Sequence, residues 1–354
     1  YSSAASDVYK RQEQVRKRTR NHNLSIKGIF KLGNRHKLSV GTEYIVDVLK
    51  SQTDNIAKED AYTLALFAQD EIKLLRNLQA LIGVRYIYHE NFKNHATPNV
   101  ALMYKPGKFN FRASYAAGFR TPTLSELYAT DIAKKNDRLT IGNLDLKSEK
   151  NNYFSLSAEY VHERFSVSVN AFYNNIRDMI DYNTIATGDK AMEQYGHKEV
   201  RQRDNIAEAK VHGINVSANA YLGAGFNLSG GYTHLNTQDV ELEQPIDKSI
   251  KNAYNINAQW AHSWKIYRLN INLNGRFNSK RFSKSYGYAP EYQLWDLNTR
   301  HSFNLKSVII EPGCGMENLF DYMDDRPYNS NYATLTPGPV SYTHLRAHET
   351  LANL

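Results

Sequence analysis

The sequence is poor in the features that define several common protein classes. Its single cysteine, Cys314, excludes an internal disulfide framework and a cysteine-based metal site. No apolar run approaches the ~18 residues that a membrane-spanning helix needs, and the opening stretch YSSAASDVYKRQ has no apolar segment of a signal peptide. The formal net charge of +8 is spread along the chain. It suits anionic partners only in a general way, and we predict no nucleic-acid binding.

Aromatic residues and strict alternation are abundant instead. Aromatic residues make up 12% of the chain, and 25 of them are tyrosines. In LNINLNGRF (269–277), apolar residues alternate with asparagine, and FSVSVNAFY (165–173) and YNINAQW (254–260) behave in the same way. This period of two is typical of a strand with one apolar face. Because an outer-membrane barrel hides its lipid-facing side in this period, the mean hydropathy of −0.60 does not exclude a membrane protein.

About fourteen such runs follow one another, with short and long connections in alternation. The short turns carry signals such as GNR (33–35) and PGK (106–108). The pattern predicts an up-and-down meander with one plain rim and one elaborate rim. We expect strands near 24–32, 36–50, 61–74, 78–90, 96–105, 109–118, 149–162, 165–178, 207–222, 226–237, 250–263, 267–281, 291–304 and 308–318, with long polar loops at 51–60, 119–148, 179–206, 238–249 and 282–290.

Two architectures compete for this pattern. A soluble sandwich would bury the apolar face in a core, but sandwich strands commonly have ~5–6 residues. Most of the runs in this sequence have the length of transmembrane strands, which need ~9–11 residues when tilted. A barrel also removes the exposed edges that so many strands would leave. We therefore predict an all-β fold, an antiparallel up-and-down transmembrane β-barrel.

Both ends of the chain read as foreign to this pattern. Residues 1–12 and the closing stretch VSYTHLRAHETLANL resemble translated adapter sequence. We expect 1–12 and 339–354 to be artefacts and 13–338 to be part of a barrel, with the natural protein longer at both ends. His344 and His348 have the i, i+4 spacing of a metal pair on a helix, but they lie in this tail, so no metal site or cofactor is predicted.

The stretch SYAAGFRTPTLSELYAT (114–130) is where a family resemblance emerges. A strand ends there in Phe-Arg-Thr-Pro, and Leu-Ser-Glu-Leu-Tyr follows with helical spacing. Leu124 and Leu127 are expected to pack one face of this short turn onto the rim. GFRTPTLSELY and the later GNLDLKSEKNNYFSLSAEY (142–160) resemble the F-R-x-P and N-P-N-L elements of TonB-dependent outer-membrane receptors. Further segments match in the family's order: LALFAQDEIKL (64–74), FYNNIRDMIDY (172–182), WDLNTRHSF (295–303) and MENLFDYMDDRPY (316–328).

The resemblance implies roughly 14 strands of a probable 22, located in the bacterial outer membrane. It also implies a plug domain and a TonB-contacting segment, which we expect to lie outside this sequence. The parent would take up a scarce nutrient: a ferric siderophore or haem, then cobalamin. A passive porin or an adhesin barrel is the alternative.

No convincing catalytic constellation stands out, since the adjacent Ser125 and Glu126 do not make a catalytic pair, and we predict that the protein is not an enzyme.

The residues expected to contact the ligand come from the wall and from two loops. Haem receptors of this family typically carry a histidine between the two elements, and ATDIAKKNDRLTIG (129–142) has none, which disfavours haem; His197 lies in the next loop. Wall arginines could contact an anionic ligand or the plug, or could form ion pairs within the wall. The predicted ligand-binding residues are Arg112, Arg120, Tyr128, Arg138, Tyr182, Tyr195 and His197; the wider set of wall residues adds Arg85, Glu159, Arg268, Arg276, Asp296 and Arg300.

The basic run VRKRTRNH (15–22) precedes the first strand. Arg16, Arg18 and Arg20 share the parity of the apolar Leu24 and Ile26, so they should emerge on the lipid side at the level of the outer headgroups. We expect these arginines to contact lipopolysaccharide phosphates, with a solvated loop end as the alternative.

Overall fold

The computed structural model describes residues 17–52, 56–133, 137–206, 208–240, 242–283, 286–305, 308–323 and 339–349. The first half holds β1 (Lys17–Leu32), β2 (His36–Ser51), β3 (Ile56–Leu75), β4 (Leu78–His89), β5 (Lys93–Tyr104), β6 (Phe109–Arg120), α1 (Leu124–Tyr128), β7 (Asp131–Ala133), β8 (Arg138–Ile141), β9 (Glu149–Val161) and β10 (Phe165–Arg177). The second half holds β11 (Met179–Thr187), α2 (Gly188–Tyr195), β12 (Glu199–Ile206), β13 (Ala209–Gly223), β14 (Phe226–Asp239), β15 (Asn252–Trp264), β16 (Tyr267–Asn278), β17 (Arg281–Ser283), β18 (Gly287–Ala289), β19 (Tyr292–Leu305), β20 (Val308–Glu317) and β21 (Val340–Glu349). Neither helix in these described ranges is long and apolar enough to cross a membrane.

Fifteen of the strands form one sheet in the order β1-β2-β3-β4-β5-β6-β9-β10-β13-β14-β15-β16-β19-β20-β21. All fourteen predicted runs are strands of this sheet, and the predicted antiparallel meander is confirmed. The fifteenth strand, β21, lies in the segment that we expected to be an artefact, and it pairs antiparallel with β20 from Glu317↔Val340 to Val308↔Glu349. The artificial origin of residues 339–354 stays a prediction.

The chain divides into two compact units. The first contains Tyr1–Leu102, Ser114–Tyr153 and Asn175–Ala209, and the second contains Met103–Ala113, Phe154–Asn174 and Lys210–Leu354.

In the first unit, the two faces of the sheet differ in chemical character. On β1 to β4, one face carries exposed apolar side chains, including Leu24, Tyr44 and Leu66, which are 66%, 44% and 52% exposed. On the opposite face, Glu43 accepts hydrogen bonds from Asn23 at 2.8 Å and from Arg85. An exposed apolar face of this size indicates an apolar surrounding. On the polar face, the side chains form hydrogen bonds with one another.

The second unit has the same two-faced construction. Tyr254 and Ile256 of β15 are 50% and 38% exposed. On the alternate positions, the Asn257 amide donates to the side-chain oxygens of Asn272 and Asn274, each at 2.5 Å. Further along this face, Arg276 pairs with Asp296 at 3.3 Å. The Arg276 pair and the Arg85–Glu43 pair of the first unit favour an ion-paired wall at these two positions.

The prediction of long polar loops at 119–148 and 179–206 was wrong in part. The first segment contains α1, β7 and β8, and the second contains β11, α2 and β12. These strands form a separate four-stranded sheet, β11-β12-β8-β7, which we call the loop sheet. The pairing that joins the two segments is not visible in either sequence alone, because β8 of the first segment pairs with β12 of the second, about 60 residues away.

Candidate ligand-binding site

The junction between wall and loops is built around α1. Thr123 precedes this helix with extended backbone angles, and its hydroxyl accepts a hydrogen bond from the Glu126 backbone N–H at 3.2 Å. The Glu126 carboxylate accepts in return from the Thr123 N–H at 2.8 Å, which completes a capping box. Pro122 lies just before the cap, where its missing N–H removes no helical bond.

The apolar face of α1 packs as predicted. Leu124 is buried against Leu49 and Ala61 of the sheet. Leu127 is buried against Leu146 and against Ile180 of β11. The helix therefore fastens the loop segments to the wall.

Arg120 lies at the end of β6 between two carboxylates. Its guanidinium donates to Glu149 at 2.6 and 2.7 Å and to Glu126 at 2.8 Å. Glu149 also accepts from the Ile180 backbone N–H at 2.7 Å. We call this set the Arg120 clamp, because it ties β6, α1, β9 and β11 together. A ligand contact for Arg120 stays a prediction, and the geometry gives the residue a positioning role.

We expect the clamp to weaken in acid. Burial of the Glu126 carboxyl acts to raise its pKa, but hydrogen bonds from Arg120 and Thr123 outweigh burial, so the pKa lies below its ordinary value. A lowered folded-state pKa adds stability that is complete above the unfolded value of about 4.3 and is lost as pH falls through the folded value. Hydrogen-exchange protection of residues 124–128 in the full-length parent should therefore fall as pH drops from neutral to below about 4.

The Glu126→Gln variant is the control for this pH dependence. It should lose protection at neutral pH and show little further loss in acid. Equal protection of the wild-type helix at neutral pH and well below the unfolded pKa would contradict the assignment.

The two loop segments are joined by backbone and side-chain bonds. β8 and β12 pair in parallel, from Glu199↔Arg138 to Gln202↔Ile141. Asn205 adds a second joint, since its side chain accepts from the Lys147 N–H at 2.6 Å and donates to the Lys147 carbonyl at 3.0 Å. Its amide also donates to the Asp178 carbonyl at 2.6 Å. The segments therefore form one body.

One face of the loop sheet has its own small core. Val200, Ala191 and Ala186 are buried together, with Tyr195 and Leu139 packed against them. α2 ends at Tyr195 and is followed by Gly196, whose φ of 71° is left-handed and favours glycine. Tyr195, predicted to bind ligand, thus also packs against this core.

His197 and Asp137 form a further link between the segments. The His197 Nδ1 atom lies 2.8 Å from the Asp137 carboxylate, and the Lys198 N–H donates to the Asp137 carbonyl at 3.1 Å. The hydrogen bond with His197 lowers the pKa of Asp137. This bond uses the Nδ1 atom of His197 and leaves the Nε2 atom for a ligand.

The other face of the loop sheet is cationic. Tyr182 lies directly opposite Arg203 across β11 and β12, and the Arg203 guanidinium lies 3.8 Å from the centre of the Tyr182 ring. Arg203 also donates to the Tyr182 hydroxyl at 2.6 Å. The pairing registers place Arg138 and Arg201 on this same face, because residues opposite one another in a sheet share a side. We call Arg138, Arg201, Arg203 and Tyr182 the arginine face.

Not every guanidinium N–H group of the arginine face has a hydrogen-bond partner among the described residues. Arg201 uses its Nε on Glu199 at 2.6 Å, and Asp131 is placed on the same side by its pairing with Thr140. The Nε of Arg138 is buried without a hydrogen-bond partner among the described residues. Three guanidinium groups therefore share this side with two carboxylates, which is an arrangement suited to an anionic ligand.

Arg138 and Tyr182 were predicted from the sequence as ligand-binding residues, which stays a prediction, whereas Arg201 and Arg203 were not. The alternation of Val200, Arg201, Gln202 and Arg203 is the signal that could have identified a strand with a cationic face.

The remaining predicted residues lie elsewhere. Tyr128 packs against both clusters that hold α1, and burial, with the charges of Glu59 and Glu90, raises the pKa of its hydroxyl. Arg112 belongs to the second unit and donates to the Met103 sulfur at 3.3 Å. Arg18 and Arg20 are exposed on β1, and Arg16 lies outside the described residues. No cluster of metal-ligating side chains is found among the described residues.

The strands are long and antiparallel, with an exposed apolar face, a polar opposite face and elaborate loops on one rim. These features define the wall of an outer-membrane barrel. The sequence matches the family described as TonB dependent receptor-like, beta-barrel over residues 1–318, and the chain belongs to this family. The predicted family, barrel fold and outer-membrane location are thereby confirmed. This is a family of receptors and not of enzymes.

Two relatives match different shares of the chain, and both are themselves longer. The ferric enterobactin receptor of Pseudomonas aeruginosa is 22% identical over an alignment of 333 residues that covers 82% of this chain and 44% of the relative. The probable hemoglobin and hemoglobin-haptoglobin-binding protein 4 of Haemophilus influenzae is 27% identical over an alignment of 165 residues that covers 43% of this chain and 16% of the relative.

Solved structures share the fold. A mutant of the P. aeruginosa ferric enterobactin receptor has a TM-score of 0.78 and 18% identity, over 94% of this chain and 54% of that chain. The siderophore receptor PirA of P. aeruginosa has a TM-score of 0.74 and 18% identity, over 95% and 58%. The chain thus spans about half the length of these receptors.

Proposed function

We propose that the full-length parent is a TonB-dependent receptor and transporter for a ferric siderophore, with the arginine face as its binding surface. The observation that carries this proposal is the placement of three arginines on the same face of the loop sheet as Tyr182, with the Arg203 guanidinium 3.8 Å from the centre of its ring. Arginine offers paired N–H donors in a fixed plane and stacks on aromatic rings. These properties suit a bulky anionic chelate that brings both oxygens and flat rings.

The names of the relatives support the same ligand class. One curated relative is a ferric enterobactin receptor, and one solved neighbour is a siderophore receptor. Transport would require the plug and the TonB-contacting segment that the family implies. The ligand would first bind to the loop sheet and then pass along the polar face of the wall when TonB remodels the plug.

Haem is the second candidate, because another relative is named as a probable hemoglobin-binding protein. His197 would be its ligand through Nε2, because Asp137 holds only the Nδ1 atom of the ring. Cobalamin follows. A passive porin or an adhesin barrel is the alternative class and would need no TonB.

Growth under iron limitation tests the proposal. A strain lacking its own siderophore receptors and carrying the full-length parent should grow on one or more ferric siderophores, and a TonB-deficient strain with the same parent should not. Growth on haem alone would favour the second candidate. Uptake that is equal with and without TonB would contradict the proposal and favour a porin.

A further inference from the structure

One face of β1 changes its chemical character along the strand. The even-numbered residues towards the 33–35 turn are apolar and exposed, among them Leu24 and Ile26 at 66% and 65% and Phe30 at 51%. The even-numbered residues at the other end are Arg18 and Arg20, which are also exposed. Cations therefore follow an apolar strip on the same side of the strand, with His22 between them.

The neighbouring strands extend the cationic end. Lys50 of β2 lies directly opposite Arg18, so both side chains are on one face. Lys58 of β3 pairs with Asp60 at 2.8 Å, and Asp60 lies opposite Val48 on the same face. We call Arg18, Arg20, Lys50 and Lys58 the basic patch.

Asp60 of β3 offsets Lys58, but the nearby carboxylates of β2 do not neutralise Arg18, Arg20 or Lys50. Glu43 and Asp47 lie on the opposite face, where they accept hydrogen bonds from Asn23 and Asn21, each at 2.8 Å. Two cations directly opposite each other destabilise a strand pair. The Arg18–Lys50 pairing is therefore unfavourable unless an external anion lies between the two side chains.

A row of tyrosines marks the level of the membrane surface on this face. The rings of Tyr44 and Tyr62 are 6.1 Å apart, and those of Tyr62 and Tyr88 are 6.0 Å apart. Such amphipathic rings lie at the headgroup level of a bilayer. Tyr62 pairs with Val46, and Lys50 is four residues further along β2, about 13 Å at 3.3 Å per residue.

We propose that the basic patch binds the phosphate groups of lipopolysaccharide, with the acyl chains lying on the apolar strip below it. The outer leaflet supplies this lipid, and guanidinium and ammonium groups form charge-assisted hydrogen bonds with phosphate. The proposal adds Lys50 and Lys58 to the arginines predicted from the sequence. It rests on the outer-membrane location and is independent of the transported nutrient.

The test compares two variants of the full-length parent with matched changes of charge. The patch variant carries Arg18→Gln, Arg20→Gln and Lys50→Gln. The control variant carries Lys17→Gln, Lys27→Gln and Lys31→Gln, which lie on the opposite face of β1. Both are purified in detergent, checked for a heat-modifiable barrel, and titrated with lipopolysaccharide by native mass spectrometry.

We expect the patch variant to bind lipopolysaccharide about 100-fold more weakly than the wild type, at about fivefold per charge near an anionic surface. The control variant should bind like the wild type, and dephosphorylated lipopolysaccharide should bind the wild type as weakly as it binds the patch variant. Three results would each overturn the proposal: unchanged binding by the patch variant, equal loss in both variants, or equal affinity of the wild type for phosphatidylglycerol.

Discussion

Replacing Arg201 and Arg203 with alanine in the full-length parent should raise the Kd for its ferric siderophore about 100-fold. A hydrogen bond to a charged group contributes roughly 1.5–3 kcal/mol, and about 1.4 kcal/mol corresponds to a tenfold change in Kd. The measurement is equilibrium binding of the radiolabelled ferric chelate to whole cells. The two arginines lie on the arginine face of the loop sheet, and Arg203 stacks on Tyr182.

The matched control removes two positive charges from the same segment. Lys190 of α2 and Lys198 are exposed, and neither belongs to the arginine face. The Lys190→Ala, Lys198→Ala variant should bind within about threefold of the wild type if specific contacts dominate over general attraction. Equal weakening in both double variants would mean that only net charge matters.

The Arg120→Ala variant should loosen the loop sheet while leaving the barrel wall folded. The change leaves Glu126 and Glu149, whose side chains are 14% and 16% exposed, without their cation. Removing one partner of a buried pair costs about 3–5 kcal/mol, and since the Arg120 side chain is itself 42% exposed, we expect about 2 kcal/mol after solvent screening. Hydrogen exchange should speed up by roughly tenfold or more across residues 124–148 and 179–205.

Arg112 provides the control for this prediction. It lies on the same strand, and its described contact is the Met103 sulfur. The Arg112→Ala variant should leave exchange in the loop sheet unchanged, and Arg120→Lys should give partial rescue, since lysine keeps the charge but not the paired donors. Unchanged exchange in Arg120→Ala would show that the clamp does not hold the loops.

The wall of this protein could be predicted from its sequence because its signal is local. Each strand shows its apolar face in a period of two, and turns such as 33–35 and 106–108 carry glycine where the chain reverses. At Gly33, the φ of 62° is one that other residues rarely adopt. The packing of Leu124 and Leu127 could also be anticipated, because their spacing gives a short helix one apolar face.

The loop sheet could not be predicted in the same way. β8 is four residues long, and its partner β12 lies about 60 residues further along the chain. Polar composition therefore suggested irregular loops, although Val200 and Ala191 form a buried core within them. The role of Arg120 was hidden for the same reason, because Glu149 is 29 residues away and becomes its partner only through tertiary structure.

A structure of the full-length parent with its ferric siderophore bound tests the central claim most directly. We expect the chelate on the loop sheet, with its oxygens within hydrogen-bonding distance of Arg201 and Arg203 and with residues 119–148 and 179–206 still paired through β8 and β12. A chelate bound elsewhere, with the arginine face empty and the β8–β12 pairing broken, would contradict it.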